Sequence, residues 1–187
     1  MNKKPIICGI VAVGPYNVIG HNGTMPWHSA QDFWHFRTTT TPYPCIFGKT
    51  TYEGMTKKPL PNRLNLVCSS QYNNEYINGV FYANSVENAL NQCANFDKVF
   101  ICGGGAVYKY ALDRDLIDVM YITKLYDYDL SRKIRSNPRA YSKFPMNIYE
   151  CFRLPKWQIE KIEYPIDVLP VERGTAIAEF FKSVRVR

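Results

Sequence analysis

The chain has 187 residues, 46% hydrophobic and 21% charged, and carries a formal net charge of +7. Those values fit one domain with a core large enough to enclose a cleft, and they exclude a mainly disordered chain. No apolar run approaches the ~20 residues of a membrane helix, and the stretch Ile6–Val13 is cut short by Gly14-Pro15, so a cytoplasmic protein without a secretion signal is expected.

Short apolar runs alternate with helix-like patterns along the chain. Ile6–Val13 reads as a buried strand, and residues 18–27, with two glycines and a proline, as a loop. A helix is predicted over Ser29–Thr39, a strand over Cys45–Gly48, a helix over Thr50–Met55 and a strand over Leu64–Cys68. The pattern continues with strands at Val80–Tyr82, Val99–Cys102 and Val119–Leu125, and helices at Val86–Ala94 and Gly105–Leu112. Trp157–Tyr164 and Thr175–Val186 read as two longer strands joined by a Pro-rich connection. Continuous apolar runs imply strands covered on both faces, and strand–helix alternation implies a mainly parallel sheet. The fold expected is a three-layer α/β sandwich in a single domain, 1–187, with the C-terminal strands as an antiparallel edge.

Six cysteines stand at positions 8, 45, 68, 93, 102 and 151 without a Cys-x-x-Cys pair. They are expected to pack as small apolar groups in a reducing compartment, and no metal site is expected. Residues 129–143 set Arg132, Lys133, Arg135, Arg139 and Lys143 against Asp129, so over half of the positive excess lies in one segment. It reads as a solvated, mobile loop. A basic surface can also suit nucleic acid, but the only aromatic within it is Tyr141, which disfavours a stacking surface for single strands.

Four segments offer chemistry. Val18–Trp27 exposes Met25 and Trp27, which suits a lid over a ligand or a surface loop that tucks both into the core. In the following helix Asp32 and Phe36 share a face. Asp32 is then either a partly desolvated acid in a cleft, able to pair with an amidine-like ring edge, or one half of a Ser29-x-x-Asp32 capping box. Gly48-Lys49-Thr50-Thr51 joins a strand to a helix and could hold a phosphate, with Ser69-Ser70 beside it, or could be a plain capped turn. Cys102-Gly103-Gly104-Gly105-Ala106-Val107-Tyr108 runs a strand through three glycines into a helix, which favours close approach by a pyrophosphate. It is neither Gly-x-Gly-x-x-Gly nor a P-loop.

The order of these segments is more specific than any one of them. Ile19-Gly20, Met25-Pro26-Trp27, Asp32, Phe36, Gly48 to Glu53, Pro59 to Arg63, Ser69-Ser70, Gly103 to Tyr108 and Tyr121-Ile122-Thr123 together resemble the dihydrofolate reductase family across roughly residues 6–125. The resemblance implies that fold, NADPH as cofactor and dihydrofolate as substrate in a monomer. It implies that Asp32 binds the pterin edge and assists protonation of N5, with Thr123 supporting it. Cys8 and Ile10 would line the pterin pocket, Phe36, Met55 and Leu60 would grip the aminobenzoyl ring, and Arg63 would clamp the glutamate α-carboxylate. That clamp argues against a sister reductase acting on a pyrimidine ribose intermediate, which has no glutamate tail. Ile10, Ile19, Gly20 and Met25 would meet the cofactor from the first strand and lid. Cys102, Gly103, Gly104, Gly105, Ala106, Val107 and Tyr108 would form the nicotinamide and pyrophosphate turn, with Gly103-Gly104 in cis. Lys49, Thr50, Ser69 and Ser70 would read the adenosine 2′-phosphate, and Gly48 and Thr51 would also meet the cofactor. Ala106 stands where the family often has a basic residue, and the acidic residue usual before Phe144-Pro145 is missing.

Overall fold

The computed structural model describes residues 4–151, 155–164 and 177–186, except the side chains of 149, 151 and 177. In chain order the elements are β1 (Ile6–Val13), β2 (Val18–His21), α1 (Ala30–Thr40), β3 (Cys45–Gly48), α2 (Lys49–Glu53), β4 (Asn65–Cys68), β5 (Glu75–Ile77) and β6 (Val80–Ala83). They continue with α3 (Val86–Asn91), β7 (Lys98–Ile101), α4 (Gly105–Asp113), β8 (Val119–Tyr126), α5 (Tyr128–Ser136), β9 (Tyr141–Lys143), α6 (Ile148–Cys151), β10 (Trp157–Ile162) and β11 (Ile177–Arg185). The chain forms two compact units, one of Met1–Ile10 and Thr40–Asp118, the other of Val11–Thr39 and Val119–Arg187.

In the first unit β1, β7, β3, β4 and β6 pair in parallel in that order. Their side chains include Ile7, Cys8, Ile46, Leu66, Val99 and Ile101, all 3% exposed or less. Burial on both faces is what continuous apolar runs require of a parallel sheet. β5 adds to the outer side of β6 antiparallel, through a turn in which Asn78 and Gly79 both have positive φ. Asn-Gly at that position sets a hairpin whose twist matches its strands.

In the second unit β8 pairs antiparallel with β11, and β11 with β10, giving the expected antiparallel C-terminal edge. The proposed Pro-rich connection lies outside the described residues. Two expectations are overturned in this unit. Residues 18–21 are not loop but strand β2, paired antiparallel with β9. Segment 129–143, expected to be a mobile loop, is ordered as α5, a single 3-10 turn at Pro138–Ala140 and β9. Asp127 caps α5 by accepting the Leu130 N–H at 2.9 Å. Leu130 and Ile134, four apart and hence on one face, bury against Val18, Trp27 and Leu125 while the cations face water. Among the described residues no helix is long and apolar enough to cross a membrane.

Candidate functional site

The first unit gathers the glycine turns. Gly103 has a positive φ of 108°, and its bond to Gly104 is cis, as the resemblance implied. The Gly48 N–H donates to the Gly103 carbonyl at 2.6 Å, so the end of β3 and the end of β7 form one backbone ledge. Space on this ledge is tight. A Cβ on Gly104 would stand 2.7 Å from Thr51 Oγ1. Only a residue without a side chain therefore fits beside Thr51. Glycine at 48, 103 and 104 leaves main chain open to close approach, which fits an elongated ligand carrying a pyrophosphate.

The residues flanking the ledge differ in what they do. Ala106 is exposed at the start of α4, whereas Val107 and Tyr108 are buried. The Tyr108 hydroxyl donates to the Ile10 carbonyl at 2.5 Å and so ties α4 to β1. Lys49 donates to Gln71 Oε1 at 2.7 Å, lies 4.0 Å from Glu53, and stands 5.8 Å from the Tyr72 ring centre. Thr50 and Ser70 are exposed and Ser69 half-buried. With only five residues, α2 has little dipole of its own, so Lys49 is the chief source of positive potential here.

Arg63 sits in the same unit. Its Nη1 donates to Thr40 Oγ1 at 2.7 Å and its Nε to the Pro61 carbonyl at 3.1 Å, which fixes the plane of the guanidinium. Asn65 steadies the preceding turn by accepting the Leu60 N–H at 2.8 Å and donating to the Leu60 and Arg63 carbonyls, both at 2.9 Å. Met55 and Leu60 are half-buried and Cys8 and Ile10 buried. Among the described residues all five cysteines are free thiols. Burial pushes Cys68 and Cys93 up to about 12 and Cys102 well above the ordinary thiol range, so they are inert packing groups. No described group of histidine, cysteine or carboxylate side chains could hold a metal ion.

The second unit carries the acid. Asp32 is 7% exposed, in the first turn of α1. Ser29 supplies the cap there, its Oγ accepting the Asp32 N–H at 3.2 Å. That bond is the Ser29 half of the Ser29-x-x-Asp32 capping box. Thr123 is 1% exposed on β8. It shares a sheet face with Tyr121, two residues away, and with its register partner Phe180 on β11. His35, three residues after Asp32, lies with its ring centre 4.7 Å from Phe180 and 6.3 Å from Tyr121. The helix face that bears Asp32 and His35 is therefore laid on the sheet face that bears Thr123. Phe36 is half-buried beside them.

The loop from β1 to α1 divides. Met25 is 40% exposed, whereas Trp27 is buried at 8%, so of the two readings of this loop Trp27 follows the one that tucks it into the core. Trp27 packs on Leu130 of α5 and is admitted by Gly14, where a Cβ would stand 2.7 Å from the indole ring. Asn17 anchors the loop's start. Its carbonyl accepts the Phe144 N–H at 2.8 Å, its Nδ2 donates to the Met146 carbonyl at 2.5 Å, and its Oδ1 accepts from Ile148 at 3.4 Å. Ile19 and Gly20 are half-buried in β2. Neither Asn17 nor His35 stood out in the sequence. Asn17 in its left-handed conformation, φ 65°, is the kind of position asparagine tolerates, but its partners lie more than 125 residues away.

Comparison with known proteins identifies the family. A family model described as dihydrofolate reductase matches residues 6–137. The dihydrofolate reductase of Candida albicans is 30% identical over 171 residues, covering 86% of each chain. That of Haemophilus influenzae is 35% identical over 156 residues, covering 83% of this chain and 85% of its own. Among solved structures, dihydrofolate reductase from Enterococcus faecalis, complexed with NADP(H) and RAB-propyl, superposes with a TM-score of 0.71 at 25% identity over 96% of both chains. With a family model matched over more than half its length and relatives aligned across most of it, the chain belongs to the dihydrofolate reductase family.

Proposed function

We propose that this chain reduces 7,8-dihydrofolate to 5,6,7,8-tetrahydrofolate with NADPH as the hydride donor, and that Asp32 is the one proton-handling group in the reaction. Family membership supports the activity, and with it a place in one-carbon metabolism. The observation that carries the assignment of Asp32 is its burial at 7% on the face of α1 that lies toward Thr123. A buried carboxylate of this kind pairs with the amino and N3 edge of a pterin and strengthens as water is excluded. Asp32 then holds that edge and directs a proton to N5, with Thr123 orienting it. General acid assistance of this type contributes about 10²–10⁴-fold.

NADPH, when bound, supplies the hydride. The chain's contribution is placement. Cys8 and Ile10 line the pterin, and Phe36, Met55 and Leu60 hold the aminobenzoyl ring. Arg63, its plane already fixed by Thr40 and Pro61, clamps the glutamate α-carboxylate. The ledge of Gly48 and Cys102 to Gly105, with Thr51 and the start of α4 from Ala106 to Tyr108, takes the nicotinamide and pyrophosphate. Lys49, Thr50, Ser69 and Ser70 read the 2′-phosphate. Met25, Ile19 and Gly20 cover the site from the lid side. The working form proposed is a single-domain cytoplasmic monomer without a nucleic-acid partner. Engagement of Tyr141, whose ring lies 4.6 Å from that of His21, supports the last point, since a stacking platform needs a free ring.

The test is loss of NADPH absorbance with and without dihydrofolate, in the parent and in Asp32→Asn. The variant is expected to bind NADPH normally and to lose nearly all turnover at neutral pH. Activity within a few-fold of the parent overturns the assignment.

A further inference from the structure

His35 is a polar ring in an apolar place. It is 0% exposed and enclosed by Phe180, Tyr164 and Tyr121, with ring centres 4.7, 5.7 and 6.3 Å away. Its Nδ1 lies 2.6 Å from the Tyr164 hydroxyl and 3.4 Å from Thr39 Oγ1. Its Nε2 is buried with no hydrogen-bond partner. A phenylalanine would fill the same space and leave no polar atom unsatisfied. The imidazole therefore stands there against the preference of its surroundings, and what it adds is the polar contact of Nδ1, a longer one to Thr39 and above all the short bond to Tyr164.

That bond is placed to act on Asp32. Residues 32 and 35 are about one turn apart on α1 and share its buried face. Tyr164 follows β10 at the C-terminal edge and is itself wedged edge-on against Trp34 at 5.0 Å and Phe180 at 5.4 Å. Tyr164 thereby touches α1 at Trp34 and His35 together. Rotation of α1 about its axis would swing Asp32 and break the His35–Tyr164 bond in the same movement. Displacement of a reacting group by ~1 Å can cost 10²-fold in rate.

We propose that His35 is a positioning residue for the reduction: bonded to Tyr164, it sets the rotation of α1 that presents Asp32. This rests on Asp32 as the acid of the reaction. The test compares Tyr164→Phe, His35→Phe, their double variant and His35→Asn, whose amide overlays Nδ1. Tyr164→Phe and His35→Phe are each expected to lower kcat at saturating dihydrofolate about tenfold while NADPH Kd stays within twofold. The double variant is expected to be no worse than either, because both singles remove the same bond. His35→Asn is expected to recover part of the loss. An unchanged kcat in Tyr164→Phe, which removes one oxygen and keeps the ring, overturns the proposal, as do losses that multiply in the double variant. Asp32→Asn in the same assay separates the two claims. If it stays active the acid assignment fails; if it is dead while Tyr164→Phe is fully active, only the positioning claim fails.

Discussion

Leu130→Ala is the most direct probe of the ordered insertion. Leu130 is 4% exposed and, with Ile134, is the buried pair by which the nine-residue α5 joins Val18, Trp27 and Leu125. A helix that short has little stability apart from its packing. Removing a buried leucine side chain costs about 3–4 kcal/mol where the site cannot collapse, and the Trp27 ring offers little give. Because α5 is a separate element at one edge of the cluster, most of that loss should appear as local opening. At 1.4 kcal/mol per tenfold, opening of α5 rises by about two powers of ten. Arg132, Lys133 and Arg135 are exposed tryptic sites that a helical backbone protects until it opens. Brief trypsin digestion should therefore cut Leu130→Ala between residues 132 and 136 about a hundred times faster than the parent, with Ser131→Ala as the control. Cleavage within threefold of the parent would refute the claim that this contact holds the helix.

Other outcomes follow from the geometry. His35 is held neutral by burial, down to about 4 from an ordinary 6.5, so the unfolded chain takes the proton first and stability falls as pH drops from about 6.5 to about 4. At about 1.4 kcal/mol per pH unit the loss reaches ~3 kcal/mol near pH 4, and urea midpoints of His35→Phe should lack that part of the slope. Gly104→Ala puts a Cβ 2.7 Å from Thr51 Oγ1 and should weaken NADPH binding tenfold or more by fluorescence titration; unchanged affinity would show that the ledge is not where the cofactor lies. Asn17→Ala removes two side-chain bonds and replaces asparagine, which tolerates a φ of 65°, by a residue that adopts it less readily, costing about 1–3 kcal/mol in denaturant, whereas Asn17→Gly should be milder because glycine takes positive φ freely.

Much of the first unit was legible because its physics is local. Continuous apolar runs ended by glycine mark β3 and β7, and the observed bounds fall within a residue of those expected. β5 was missed although its signal was present, since Ile77-Asn78-Gly79-Val80 is a hairpin turn by composition and all three strand residues are exposed. α5 was hidden by its charge. Counting cations points to a loop, while the decisive feature is a single Leu130–Ile134 pair four residues apart. β2 and β9 are only four and three residues long, with a glycine inside β2, and each completes the other's ladder. For the candidate site, the order of motifs brought out Asp32, Arg63 and the glycine turn. For Trp27 the lid and tucked readings stayed open, because its burial depends on Leu130, over a hundred residues away.

The pairing of β2 with β9 has a bearing on how the loop before α1 can move. Hydrogen bonds across a ladder are broken in sequence from an end, and Asn17 closes the end nearest β1. The segment therefore has a fast part, the arc from Asn22 to Met25, and a slow part whose release waits on the insertion. Amide hydrogens of Ile19 and Gly20 would exchange at the tempo of residues 141–143, so two stretches more than a hundred residues apart would share one clock, set by a helix whose outer face carries Arg132, Lys133 and Arg135.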